Sequence, residues 1–196
     1  NTTATTCNAV VNYPLAVTGI PAPALSYSFS GATTGNGAGT GSGQTFNQGT
    51  THVVVTAVNP CSTVLAEFDV IVTDITPPIA IAQSLVINLD ANGAAGITAA
   101  QINNGSTDNC GIASISVNKT SFDCSNVGVN NVILTVTDVN GNVSTAPATV
   151  TVVDAIAPSI TAPAAISQGT DAGVCGATVN LGIPVTADNC SVASVT

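Results

Sequence analysis

Val70-Ile71-Val72-Thr73-Asp74-Ile75-Thr76-Pro77-Pro78-Ile79 returns as Val150-Thr151-Val152-Val153-Asp154-Ala155-Ile156-Ala157-Pro158-Ser159, which carries Asp74 onto Asp154, 80 positions on. A second anchor keeps the same offset: Thr107-Asp108-Asn109-Cys110 followed by Ala113-Ser114 becomes Ala187-Asp188-Asn189-Cys190 followed by Ala193-Ser194. Two separated anchors at one shift make the chain a tandem repeat, so the fold must be a small module used more than once. The spacing predicts a complete module over 76–155, a first module over 1–75 without its opening strand, and the opening half of a third over 156–196. On this reading the chain is an excerpt of something longer.

Within a module the period is that of strands. Val132, Leu134 and Val136 alternate with Ile133, Thr135 and Thr137, and after Asn140-Gly141 the residues Ala148, Val150 and Val152 alternate with Thr149, Thr151 and Val153. Asn-Gly suits a type I′ turn, so a hairpin is expected to close the module. Its counterpart in the first module runs from Thr51 to Val58 and from Leu65 to Thr73, around Asn59-Pro60-Cys61. Residues 31–43, almost all Gly, Thr, Ala, Ser and Asn, read as a surface loop, and helix is confined to a turn or two at 98–102. Many short strands in about 80 residues predict an all-β fold of tandem immunoglobulin-like β-sandwich modules, with the scattered Phe29, Phe46, Phe68 and Phe122 helping to fill the cores. Each boundary has an Asp followed within four residues by Pro. Asp74 with Pro77 and Pro78, and Asp154 with Pro158, should act as stiff junctions that align the modules in a rod.

Charge narrows the function. Lys119 is the only Lys or Arg against ten acidic residues, a net charge of -9. A chain this poor in cations cannot neutralise phosphates, which excludes an ordinary nucleic-acid binder, and it has no basic surface for anionic lipid. No apolar run is long enough for a membrane span, so membrane insertion is not expected.

The six cysteines fall two to a module, which pairs Cys7 with Cys61, Cys110 with Cys124 and Cys175 with Cys190 if bridges stay within modules. Free buried thiols and metal ligation are the alternatives, and Cys175 has a further one in a partner beyond Thr196. No pair has zinc-site spacing, and His52 is the only histidine. Bridged cysteines would place the folded chain outside the reducing cytosol, at the cell surface or in the extracellular space.

The stretch from Gly41 to Ala57, followed by Phe68-Asp69-Val70-Ile71-Val72-Thr73-Asp74-Ile75-Thr76-Pro77-Pro78, resembles the closing half of a hyalin (HYR) repeat, an immunoglobulin-like module. Thr135-Val136-Thr137-Asp138-Val139-Asn140-Gly141-Asn142 is similar to that family's hairpin. Cys175-Gly176-Ala177-Thr178-Val179-Asn180, with Ala187-Asp188-Asn189-Cys190-Ser191, resembles the opening half found in very large surface proteins of Bacteroidetes-type bacteria. The resemblance implies a secreted, surface-attached adhesin exported by the type IX route, a class that includes gliding-motility adhesins.

Catalytic groups are scarce. His52 begins an apolar strand and reads as a solvent-facing strand residue. Glu67 and Asp69 share one strand face as solvated charges, and no nucleophile elbow, phosphate loop or metalloprotease helix occurs, so no enzyme is expected. No cofactor is required. Calcium is the one ion the residues invite: Asp90 and Asn92, and Asp138 and Asn140, set hard oxygens around Gly turns, while Asp74, Asp108, Asp154 and Asp188 are candidates to gather near module junctions. Asp and Asn are also ordinary turn residues, which is the competing explanation.

The expected function is a structural stalk segment that bears load and projects a distal tip, outside this segment, towards a surface, glycan or protein; its direct partners would be neighbouring modules of the same chain. Two alternatives stand beside it: a subunit of a self-assembling extracellular polymer, and a glycan- or protein-binding module with Tyr13 and Tyr27 as its only aromatic platform candidates.

Overall fold

The computed structural model describes residues 1–192. The repeated Ala193-Ser194 lies outside the described residues. The chain is almost entirely β, 47% strand and 4% helix. It divides into two compact units: Asn1–Ile81 with Asn103–Ser116 and Leu134–Ala146, and Ala82–Ile102 with Val117–Ile133 and Pro147–Thr196.

In the first unit, β1 (Asn8–Val11), β2 (Ala24–Gly31), β3 (Gly35–Ala38), β4 (Gln44–Asn47), β5 (Gly49–Asn59) and β6 (Ser62–Val72) form two layers. One is an antiparallel sheet in the order β3-β2-β5-β6 and the other is the β1-β4 pair. Alternation along β5 sends Thr51, Val53 and Val55 inward, opposite Val70, Phe68 and Ala66 of β6. Ala9 and Phe46, paired across β1 and β4, close over them together with Phe29, Val70 and Val72. Burying these side chains is the main term holding so small a core together, since each contributes roughly 1.5–3 kcal/mol when fully covered.

Residues 35–38 correct the expectation of a plain loop over 31–43. They pair with Ser26 to Phe29 as edge strand β3. Gly37 permits it, because a Cβ there would lie 2.8 Å from the Tyr27 hydroxyl. Glycine-rich sequence hides such a strand, having no side chain to show alternation.

The second unit takes in β7 (Leu85–Asn88), β8 (Ala94–Gly96), the single helical turn α1 (Ala99–Ile102), β10 (Ser121–Asp123), β13 (Ser159–Thr161) and β14 (Val185–Ala187). β8 pairs with β10, and β13 with β14. β9 (Ile112–Val117), β11 (Gly128–Asp138) and β12 (Val143–Val153) complete a four-stranded sheet in the order β7-β12-β11-β9, in which β7 runs parallel to β12 with Val150 opposite Leu85. Val132, Leu134, Val136, Val150 and Val152 are fully or almost fully buried, the inward set that alternation predicts.

The Asn140-Gly141 turn differs from expectation. A type I′ turn needs positive φ at both central residues; here Gly141 has φ 90° and Asn140 does not have a positive φ, which among the described residues is confined to glycines. Gly141 N–H donates to the Asp138 carbonyl, while the Asp138 side chain takes the N–H groups of Asn140 and Asn142. The Asp side chain therefore selects the turn.

The cysteine pairing is also corrected. Cys7 bonds to Cys110 and Cys124 to Cys190, with Cα separations of 4.7 and 5.3 Å, while Cys61 and Cys175 are exposed and unbridged among the described residues. The bridge expected between Cys7 and Cys61 fails on distance. The Cys7 carbonyl accepts from Gln48 N–H, at the start of β5, whereas Cys61 sits in the turn that joins the far end of β5 to β6. Ten residues of strand, about 34 Å, separate the two ends, and a disulfide tolerates at most about 7 Å between Cα atoms. Cys110 and Cys124 are committed to Cys7 and Cys190 instead, and Cys175 lies in the exposed stretch between β13 and β14.

Candidate metal centre

Three carboxylates from distant parts of the sequence meet in the first unit. Asp74 follows β6, Asp108 precedes β9, and Asp138 ends β11; one oxygen of each lies within 4.8 Å of the others. Asp74 is only 4% exposed and Asp138 only 1%. The alternation that buries Val132, Leu134 and Val136 is what turns Asp138 inward at the strand's end. Asp74 is drawn in by a local turn, its Oδ1 accepting from Thr76 N–H at 3.1 Å.

Each carboxylate is anchored by donors on particular oxygens. Asp74 Oδ1 also accepts from the Thr2 hydroxyl at 2.7 Å and the Asn109 amide at 3.3 Å. Asp108 Oδ2 takes Cys110 N–H and Gly111 N–H at 2.8 and 2.9 Å. Asp138 Oδ2 accepts from Asn142 Nδ2, which also donates to the Asp74 carbonyl and so ties the β11–β12 turn to the segment after β6. Left over are Asp74 Oδ2, Asp108 Oδ1 and Asn109 Oδ1, all buried and without a hydrogen-bond partner. An orphaned buried acceptor costs about 1–3 kcal/mol, so three in one place need an explanation. Burial pushes the Asp74 carboxyl up, but the hydrogen bonds from Thr2, Thr76 and Asn109 outweigh it and hold the group below its ordinary value, in the charged form.

Oxygen is the only donor type in this cluster. Cys110, beside it, is committed to its bridge, and the only Lys, Lys119, donates to Asn130 and lies over the Phe122 ring. Such a set suits a hard divalent cation and offers little to zinc or copper. A pocket of about 250 Å³, lined by Thr5, Thr76, Pro77, Thr107, Asp108 and Asn109, opens onto it.

Of the calcium candidates read from sequence, Asp138 joins the cluster and Asp90, Asn92 and Asn140 do not. Asp90 is exposed and its Oδ1 accepts Asn92 N–H and Ala94 N–H, the ordinary work of a turn aspartate. Asn140 contributes its N–H to Asp138. Of the four aspartates that were candidates to gather, Asp74 and Asp108 come together and Asp154 and Asp188 are not part of the cluster. Asn109 and Thr2 were not singled out; the recurrence of Asn109 as Asn189 was the available signal.

The second unit repeats part of the arrangement. Asp188 Oδ2 accepts Ser191 N–H, Asn189 Nδ2 donates to the Asp90 carbonyl, and Asp188 Oδ1 and Asn189 Oδ1 are again buried and unpartnered. Asp154 makes the same local turn as Asp74, accepting from Ile156 N–H at 3.1 Å.

The remaining sequence candidates resolve into structure. His52 Nδ1 meets Asp69 Oδ1 at 2.8 Å on the exposed face of β5 and β6, with Glu67 at 3.9 Å from Nε2. Tyr13 and Tyr27 pack against the first unit's core, Tyr13 donating its hydroxyl to the Thr40 carbonyl, so neither forms an exposed platform. An open groove of about 230 Å³, lined by Leu15, Val17, Pro23, Val55, Ala57 and Leu65 among others, has no ionisable side chain.

No known protein-family profile and no curated protein matches the chain. Among solved structures it is similar to the crystal structure of the Protocadherin GammaB4 extracellular domain, at 15% identity and a TM-score of 0.31, over 85% of this chain and 31% of that one. The chain thus spans about a third of that structure's length, and likeness at this level assigns neither fold nor function. No helix among the described residues is long and apolar enough to cross a membrane.

Proposed function

We propose that the chain is a load-bearing stalk segment of a secreted, surface-attached repetitive adhesin or extracellular filament. Its modules follow the repeat, 1–75, 76–155 and 156–196, and its task is to hold a distal binding tip away from the cell. The hyalin-type resemblance extends this reading to Bacteroidetes-type surface proteins exported by the type IX route, gliding adhesins among them.

The observation that carries it is the covalent pattern. Cys110 and Cys190, 80 positions apart in equivalent Asp-Asn-Cys loops, are each bonded to a cysteine that precedes the boundary of their own repeat. Bridges of this kind join one repeat to the next instead of bracing each alone. They also require an oxidising compartment. The acidic composition fits an exterior that repels its neighbours.

Immunogold labelling of intact source cells, with the mass of the native polypeptide measured alongside, tests the reading. The label is expected outside the cell on a polypeptide many times the 19.1 kDa of this segment. Label confined to the cytoplasm contradicts it.

A further inference from the structure

We propose that Asp74, Asp108 and Asp138 bind one calcium ion, with the Asn109 amide oxygen as a fourth ligand. The proposal is independent of the stalk reading.

What distinguishes this cluster from a chance meeting of acids is how the donors are distributed. In Asp74 three donors converge on Oδ1 and none reaches Oδ2; in Asp108 two reach Oδ2 and none Oδ1. Asn109 spends its Nδ2 on Thr2, the Thr3 carbonyl and Asp74, leaving Oδ1 bare. Each side chain is fixed by one polar atom and presents the other. Asp74 is buried to better than nine-tenths, so its free oxygen has no bulk water to satisfy it. A cation supplies what these oxygens lack, and it relieves the repulsion among carboxylates held within 4.8 Å.

Asp138 has donors on both oxygens, yet a carboxylate has about four lone-pair sites and retains capacity for a metal. Four protein oxygens then leave two to four positions of a calcium shell for backbone carbonyls and for water entering from the adjoining pocket. Calcium fits better than magnesium, because ligands drawn from three separate segments on independent turns form an irregular set, and magnesium demands near-ideal octahedral geometry. The same half-anchored pair recurs at Asp188 and Asn189, which marks the motif as a built feature of the repeat. Among the described residues three carboxylates gather only at Asp74, Asp108 and Asp138, so one complete site is expected.

The test titrates calcium chloride into the disulfide-intact chain, stripped with chelator, by calorimetry, with thermal melting followed in parallel. One ion per chain and a rise in Tm are expected, with weaker binding of magnesium. Asp74→Asn and Asp108→Asn each keep an oxygen for the anchoring hydrogen bonds and should weaken calcium binding at least about tenfold, whereas Asp90→Asn should leave it unchanged. Should those variants fold poorly, amide shifts in the unaltered chain decide: calcium should move Thr76, Asn109, Gly111 and Asn142 first. No binding at millimolar calcium, or binding that leaves these amides in place, overturns the proposal.

Discussion

At position 93 the backbone has φ +70°, and a Cβ would lie 2.6 Å from Cys124 Sγ and 2.7 Å from the Asn189 carbonyl oxygen. Neither neighbour can retreat, since one sulfur is bonded to Cys190 and the other atom belongs to the backbone beside that bridge. Gly93→Ala therefore combines left-handed strain with overpacking and should cost about 2–4 kcal/mol, read as a lower urea midpoint with the bridges oxidised. The sequence marks Gly93 only as a turn residue after Asp90 and Asn92. That turn is present, but its deeper constraint comes from a loop almost a hundred residues away, which local pattern cannot reveal. Asp138 illustrates the same limit. Its residue type invites a cation, yet its companions are not the adjacent Asn140 but Asp74 and Asp108, gathered by tertiary structure.

Among the elements, the hairpins were legible and the edge strands were not. β11 and β12 announce themselves because Val132, Leu134, Val136, Val150 and Val152 face inward at a period of two, and each is at most 1% exposed. Leu134→Ala should cost about 2–5 kcal/mol, while Ile133→Ala, whose side chain is 45% exposed one position earlier on the other face, should cost under about 1. Urea unfolding of the two variants checks this, and equal losses would mean that the strand does not have two distinct faces. β3 escaped notice because Gly35, Asn36 and Gly37 offer no alternation, and the parallel partnership of β7 with β12 depends on residues more than sixty positions apart. The turns at Asp74 and Asp154 were legible in the repeat, since the two residues recur with it and each accepts an N–H two residues on.

At the level of the whole molecule, disulfide connectivity decides what tension can do. Bridges closing 103 and 66 residues do not overlap in sequence, so they remove nearly the entire chain from extension. Module-by-module allocation of cysteines missed this because it assumed that a repeat braces itself. In the structure each bridge closes a long stretch within one compact unit, Cys7–Cys110 in the first and Cys124–Cys190 in the second, and a 103-residue closure contributes about 4–5 kcal/mol on chain-entropy grounds. For the proposed stalk, the mechanical result matters more than the stability: force along the chain passes through the two disulfides and bypasses the stretches they close.

Single-molecule pulling from the two termini measures this property directly. With both bridges intact only about 26 links remain extensible, so full stretching should yield about 90 Å, against about 680 Å once the bridges are reduced. A stretched length near 390 Å for the oxidised chain, the value for bridges confined within modules, or a length that does not change on reduction, contradicts an inextensible stalk joined repeat to repeat.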